Sequence, residues 1–165
     1  MDLGGASTQI VFEPVFASAA SHLIEGDHVY DLDFAGSAHV LYQHSHLGYG
    51  LMQARRAVNN LVAYSHVWQS APSAKPVVWE DLTIDDEIHN PCMFKGETKQ
   101  VKLDPPGRAE VSVTMVGTGA GFEACRRVVE VMIAKDAACE QQPCAFAGVY
   151  QPKMQEVFSA GRVWA

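Results

Sequence analysis

The chain has 165 residues and a formal net charge of −7, from 12 Lys and Arg against 19 Asp and Glu. With 48% apolar and 19% charged residues it is globular in composition and of single-domain length, which excludes a disordered chain. There is no basic stripe, which argues against nucleic acid as a partner, and no apolar run long enough to span a bilayer.

The chain opens on Asp2-Leu3-Gly4-Gly5-Ala6-Ser7-Thr8-Gln9. An acidic residue ends a short strand, two glycines turn the chain, and small hydroxylated residues begin the next strand. A Gly-rich turn exposes successive backbone N–H groups that form an anion-binding concavity. Glycine suits it because positive φ and close backbone approach are cheap only without a Cβ. Ser7 and Thr8 add hydroxyls, Gln9 adds an amide that can hold a water, and Asp2 is placed to hold a divalent cation beside the phosphate. An ordinary Gly-Gly hairpin would need neither Asp2 nor Gln9, so the stretch reads as a phosphate-plus-metal corner. An acidic protein that handles an anion needs such local donors or a metal.

Only Met1 precedes this motif, which normally follows a complete strand, and Val157 to Ala165 ends on apolar residues without a cap. The expectation is an internal fragment of a longer protein.

Thr8–Glu13 is rich in β-formers and stops at Pro14, so it forms the second arm of an opening hairpin. The Ala- and Ser-rich Val15–Gly26 reads as a surface connection. His28–Phe34 and Ala38–His44 alternate around Ala35-Gly36-Ser37, the pattern of a second hairpin. Helical spacing then begins at Leu51 and continues through Ala54, Val58, Leu61 and Val62. His44 and His46 share one face if the chain is extended, which allows a metal or acid–base pair, but a polar turn is the favoured reading.

Ser70–Pro91, with Pro72, Pro76 and an acidic cluster at Asp81, Asp85, Asp86 and Glu87, reads as a solvated loop holding at most a short turn of helix. Asn90-Pro91-Cys92 is a turn that can anchor a disulfide. Thr98–Leu103 and Glu110–Val116 are strands joined through Asp104-Pro105-Pro106-Gly107. Gly117-Thr-Gly-Ala-Gly121 then opens a helix whose apolar side carries Phe122, Cys125, Val128, Val129, Met132 and Ile133. Its spacing is not that of a dinucleotide fingerprint and no acidic residue follows at the required distance, so it is a structural turn. Alternation of strands and helices is only partial, which makes a mixed α/β sheet the expected class.

Cys92, Cys125, Cys139 and Cys144 contain no CxxC pair, and no histidine stands at metal spacing from them. Two disulfides are expected, hence an oxidising compartment, and four cysteines allow three connectivities.

Several separated stretches together resemble one family. Asp2 to Glu13 is similar to the fourth signature region of the apyrase, or nucleoside diphosphohydrolase, family. Tyr42 to Leu51 followed by Ala54-Arg55 resembles the branch that contains the Golgi guanosine diphosphatases. Asn90-Pro91-Cys92, the Gly-Thr-Gly run through Phe122-Glu123-Ala124-Cys125, and Cys144 to Pro152 look the same in order and spacing. The resemblance covers nearly the whole chain; its first motif alone is shared with other actin-like phosphatases, including exopolyphosphatases.

The resemblance implies an actin-like, ribonuclease-H-type α/β fold divided by a cleft, of which residues 1–165 are part of the C-terminal lobe. It implies hydrolysis of the terminal phosphate of nucleoside diphosphates such as GDP or UDP, with Ca2+ or Mg2+, by in-line attack of water. In that scheme Asp2 holds the metal through water, and Gly4, Gly5 and the Ala6 backbone, with Ser7 and Thr8, cradle phosphate. Ser7 also positions the attacking water, and Gln9 contacts the water shell of metal and nucleophile. Cys92 pairs with Cys125 and Cys139 with Cys144. The Golgi or secretory-pathway lumen is implied as the location, with a type II membrane anchor upstream.

Departures from the family pattern also carry expectations. The first phosphate loop and the general-base glutamate are not among these residues. Leu51 stands where ecto-apyrases carry a base-stacking arginine, which favours diphosphates. Gly119-Ala120-Gly121 lacks the family's Asp or Asn, so the following helix loses a capping side chain worth about 1 kcal/mol. The readings set against this one are a non-catalytic fragment and a cytosolic exopolyphosphatase-like enzyme.

Overall fold

The computed structural model describes residues 1–16, 22–70, 82, 85–105, 107 and 109–153. The chain forms two compact units, one from residues 1–50 and 136–165 and the other from residues 51–135. Both mix strands with helical elements or turns, and the class is mixed α/β as expected.

In the first unit β1 (Asp2–Leu3), β2 (Ser7–Phe12), β3 (Val29–Phe34) and β4 (Ser37–Leu47) form an antiparallel sheet in the order β1-β2-β4-β3. Alternation along β2 sends Thr8 and Ile10 to the buried face, and Ser7 and Gln9 to the other. The second hairpin closes with Phe34 opposite Ser37, which leaves the two-residue turn Ala35-Gly36, both with positive φ as a type I′ turn requires.

Three features differ from the sequence reading. β4 runs through His44 and His46 to Leu47 instead of turning there, because both residues find partners on β2. The connection before β3 is not wholly superficial: Leu23 is buried with Ile10 and Tyr42, and Phe12, Phe16, Val29 and Tyr150 pack around them. Tyr30, Leu32 and Phe34, the apolar positions of the alternation along β3, are exposed.

The second unit contains α1 (Leu51–Ser70), β5 (Glu87–Asn90), β6 (Thr98–Leu103), β7 (Val111–Gly117) and α2 (Phe122–Met132). Its sheet runs β5-β7-β6, parallel between β5 and β7 and antiparallel between β7 and β6. Val58, Val62, Ala63 and Val67 of α1 are buried with Leu82, Ile88, Leu103, Val113 and Met115. At about 25 cal/mol per Å² of apolar surface, such a cluster is the main source of this unit's stability. Val128, Val129 and Met132 of α2 pack on its margin, while Leu51 and Phe122 are exposed.

β5 corrects the loop expected over 70–91. Glu87 belongs to a strand, and Asp85 and Asp86 precede it, while Asp81 and most of that stretch lie outside the described residues. Its burial alternates, with Ile88 and Asn90 inside and Glu87 and His89 outside. One apolar residue in four gives no periodic signal; pairing with β7 supplies the rest. Asn90 is satisfied within the core. Its Nδ2 donates to Asn59 Oδ1 at 3.1 Å, and its Oδ1 accepts the Cys92 N–H at 2.8 Å.

The expected disulfides are both present. Cys92–Cys125 ties the turn after β5 to α2, and Cys139–Cys144 closes the loop before a 3-10 turn at Phe146–Gly148. Gly117 ends β7 against the Phe94 carbonyl, which leaves no room for a Cβ, and Gly121 caps α2 at positive φ without a side-chain bond.

Candidate functional site

The turn between β1 and β2 brings the sequence-predicted polar residues to one edge of the first sheet. The Gly4 N–H donates to the Ser7 carbonyl at 3.0 Å and closes a tight loop around Gly5 and Ala6. Gly4 and Gly5 both keep negative φ, contrary to the expectation of a left-handed turn, and a Cβ on Gly4 would stand 3.2 Å from the Ser7 carbonyl oxygen. Among the described residues, nothing accepts from the N–H groups of Gly5 or Ala6, and both residues are exposed. Two adjacent amides of this kind are suited to an anion.

Asp2 lies directly across from Gln9 in the β1–β2 pair, and Gln9 lies across from Ser45 in the β2–β4 pair. Residues in register share a face, so Asp2, Gln9 and Ser45 form a polar row, with Ser7 one pleat along from Gln9. The Gln9 Nε2 donates to Ser7 Oγ at 2.5 Å. This bond occupies a lone pair of the hydroxyl and leaves its proton free to point elsewhere. The other end of the amide, Gln9 Oε1, is buried and has no hydrogen-bond partner among the described residues. The same face continues into a cavity of about 310 Å³ lined by Gln9, Val11, Gln43 and Ser45, with Asp27 and His28 at its side.

Thr8 points the other way. Its hydroxyl donates to the Tyr49 carbonyl at 2.8 Å, so its side chain fastens the strand to the loop after β4 and does not face the turn. The phosphate role read for the Thr8 hydroxyl in the sequence therefore has no support in its geometry.

Behind the sheet, the rings of His44 and His46 stand 4.5 Å apart, and Phe146 covers His46 at 4.2 Å. His46 is only 3% exposed, and burial, then the neighbouring His44, pushes its pKa down to about 4. Burial, then His28, lowers His44 as well. Burial, with Tyr150 second, raises Tyr42 to about 12, and its hydroxyl donates to the Tyr150 carbonyl at 2.7 Å. These groups are neutral near pH 7, and the histidine pair is packed into the buried side of the sheet. Neither the metal pair nor the polar turn considered from the sequence describes it.

Among the described residues, no group of three His, Cys, Asp or Glu could hold a metal ion. A cation at the turn would be held through its water shell, and the chemistry of the donors fits that: Asp2 supplies a carboxylate, and the orphaned Gln9 Oε1 needs a donor such as a bound water. A larger cavity of about 720 Å³ lies wholly within residues 51–135 and contains none of the residues around the turn. The chemistry, not the volume, singles out the turn.

Sequence reasoning missed Gly48, Tyr49 and Gly50, which lie against the turn. The Gly48 N–H donates to the Ala6 carbonyl at 2.9 Å. A glycine on each side of Tyr49, immediately before a helix, is the signal that could have drawn attention to them.

A sequence profile of the GDA1/CD39 (nucleoside phosphatase) family matches residues 1–164. The chain is 44% identical to a protein of Aspergillus fumigatus named probable guanosine-diphosphatase, over 99% of this chain and 33% of the relative. It is 38% identical to the guanosine-diphosphatase of Schizosaccharomyces pombe, over 99% of this chain and 28% of the relative. The Golgi apyrase of Saccharomyces cerevisiae is 25% identical over 93% of this chain and 23% of the relative. The chain thus spans a third or less of the length of these curated relatives.

Proposed function

The chain belongs to the GDA1/CD39 nucleoside phosphatase family, and on that premise we propose that it is part of the C-terminal lobe of a nucleoside diphosphatase and forms one wall of the active site. The two sheets and two helices agree with the actin-like fold of that family. The proposed reaction is hydrolysis of the terminal phosphate of GDP or UDP. Two of the relatives it resembles are named a probable guanosine-diphosphatase and a guanosine-diphosphatase, which supports the diphosphate.

The observation that carries this reading is the Ser7–Gln9 pair at the turn, with the opposite end of the Gln9 amide buried and unsatisfied. Catalysis of phosphoryl transfer is mostly positioning and charge stabilisation. In this scheme the free N–H groups of Gly5 and Ala6 receive the terminal phosphate oxygens. Gln9 orients the Ser7 hydroxyl, which holds the attacking water in line with phosphorus. Gln9 Oε1 and the Asp2 carboxylate accept from waters around a divalent cation. When bound, Ca2+ or Mg2+ neutralises charge on the phosphates. The Thr8 side chain, bonded to the Tyr49 carbonyl, does not contact the phosphate in this scheme. The general-base glutamate and the first phosphate loop come from other parts of the protein.

Location in the Golgi or another secretory compartment is part of the proposal, as is a membrane anchor elsewhere in the protein. Two disulfides and the similarity to a Golgi apyrase support the oxidising compartment. Among the described residues, no helix is long and apolar enough to cross a membrane.

The test is a chimera in which residues 1–165 replace the matching stretch of the Schizosaccharomyces pombe guanosine-diphosphatase. We expect phosphate release from GDP, and a fall in kcat of about 100-fold with Ser7→Ala, as for loss of one well-placed donor. Full turnover by the Ser7→Ala chimera would overturn the role of Ser7. A folded but inactive wild-type chimera would overturn the reading itself.

A further inference from the structure

Three contacts join the loop after β4 to the β1–β2 turn, and the two hydrogen bonds among them use neither the Gly5 and Ala6 N–H groups nor the Ser7 hydroxyl. The Gly48 N–H donates to the Ala6 carbonyl at 2.9 Å. The Thr8 hydroxyl donates to the Tyr49 carbonyl at 2.8 Å. Gly50 is buried, and its Cα lies so close to the turn that a Cβ would overlap the Ser7 nitrogen and the Ala6 backbone. The three bonds and contacts fall on three consecutive loop residues and on three consecutive residues of the turn and strand.

From this geometry we infer that Gly48-Tyr49-Gly50 is a clamp that sets the position of the Ala6–Ser7 backbone, with Thr8 and Gly50 as positioning residues for phosphate transfer. The inference rests on the phosphatase reading of the turn. Gly48 and Thr8 grip the turn from either side of Ala6–Ser7, and Gly50 supports it from beneath. These hydrogen bonds leave the N–H groups of Gly5 and Ala6 without an acceptor among the described residues and leave the Ser7 hydroxyl proton unused.

The clamp is itself braced. Phe146 packs on the Tyr49 ring at 4.9 Å and on His46 at 4.2 Å, and His46 is the strand partner of Thr8. Phe146 begins the 3-10 turn that follows the Cys139–Cys144 loop, and a bridge between Cys144 and Tyr150 closes that segment. Tyr49 and Thr8 therefore each have a packed or paired neighbour within the same compact unit.

The position of the turn matters because in-line transfer requires the donors and the attacking oxygen to be held to a fraction of an ångström. A misplacement of about 1 Å can lower the rate roughly 100-fold. A ligand's ground-state phosphate tolerates more, since exposed amides can follow it. A positioning role therefore predicts that kcat falls while KM hardly moves.

The experiment uses the chimera described above, with Thr8→Val, Thr8→Ser and Gly50→Ala. Thr8→Val keeps the shape of the side chain and removes only the hydroxyl. We expect it to lower kcat for GDP about tenfold, with KM within about threefold, and Thr8→Ser to restore kcat by restoring the bond. Gly50→Ala should lower kcat about 100-fold. Amide exchange measured on the full 165-residue chain gives a readout independent of catalysis: Thr8→Val should speed exchange at Gly48 about tenfold, because that N–H is the other half of the grip.

A Thr8→Val enzyme with raised KM and unchanged kcat would place the hydroxyl on the ligand and overturn the clamp. Unchanged kcat in both Thr8→Val and Gly50→Ala would also overturn it, while leaving the phosphatase reading intact. A folded wild-type chimera without GDP hydrolysis would remove that reading, and this inference with it.

Discussion

Gln9 donates to the Ser7 hydroxyl across one pleat of β2, and the far end of the same amide is buried without a partner among the described residues. A buried polar atom left unpaired costs about 1–3 kcal/mol, so such an atom in a polar row points to a ligand or a water it is built to hold. In the proposed scheme the Gln9 side chain joins two jobs, orienting Ser7 and accepting from a bound water. Gln9→Leu removes both and keeps the bulk. In the chimera it should lower kcat for GDP about 100-fold, comparably to Ser7→Ala. The double variant should be little worse than either single one, because residues that act as a unit are not additive. Fully multiplicative losses in steady-state kinetics would show that Ser7 and Gln9 act separately.

His46 predicts a pH dependence with a defined sign. Its folded pKa is near 4, against 6.5 for the free side chain. The unfolded chain therefore binds a proton between those values that the folded chain refuses. The contribution of neutral His46 is fully present above pH 6.5 and is lost progressively as pH falls towards 4. At about 1.4 kcal/mol per pKa unit, the loss between pH 7 and 4.5 is about 2–3 kcal/mol. Urea unfolding of the 165-residue chain at the two pH values should show that difference relative to His46→Gln, which does not titrate. Parallel losses in both proteins would mean that His46 titrates normally in the fold.

What the sequence made legible was local. The opening turn is readable because two glycines, an acid and a run of small polar residues stand together, and the second hairpin because alternation flanks Ala35-Gly36. The disulfide pairing came from the resemblance and agrees with the structure, whereas the cysteine spacing left three connectivities open. Features that depend on distant register were not legible. Thr8 meets Tyr49 across 41 residues, and only the pairing of β2 with β4 brings them together. β5 escaped notice because Asn90, a polar residue, fills a buried position that a periodicity search expects to be apolar. The apolar side of β3 is exposed because alternation specifies a strand but not which face finds a cover.

Asn90 is the strongest case of a polar residue used as core. Replacement by Leu removes the acceptor of the Cys92 N–H and the donor to Asn59, and it leaves both partners unpaired beside Val113 and Met115. The expected loss is about 2–4 kcal/mol, the sum of two unsatisfied groups with partial relief from added apolar area. Chemical denaturation measures it directly. A neutral result would show that water reaches Asn59 and the Cys92 amide.

The two disulfides differ in the loop they close, with sequence separations of 33 for Cys92–Cys125 and 5 for Cys139–Cys144. Loop-closure entropy gives about 4 kcal/mol for the longer and about 2 kcal/mol for the shorter. Replacing each pair by serines should therefore destabilise the 165-residue chain in that order in denaturant titrations. The reverse order would mean that the short bridge stabilises chiefly by holding Phe146 against His46 and Tyr49, not by shortening the unfolded chain.

In the proposed scheme Asp2 acts on the cation and not on the phosphate, which variants can separate. It faces Gln9 from an exposed edge strand, so its replacement disturbs little packing. Asp2→Asn keeps the shape and removes the charge. A carboxylate that acts through the cation's water shell contributes about 10- to 100-fold in metal affinity when lost. In the chimera the Mg2+ or Ca2+ concentration for half-maximal GDP hydrolysis should rise by about that factor, and saturating metal should restore most of kcat. Ser7→Ala should behave oppositely, with an unchanged metal requirement and a kcat that excess metal does not rescue, because in the proposed scheme Ser7 acts on the attacking water. Metal titrations of the two variants side by side therefore distinguish the roles proposed for Asp2 and Ser7. An Asp2→Asn enzyme with a normal metal requirement and a low kcat would move Asp2 from the cation to the phosphate transfer itself.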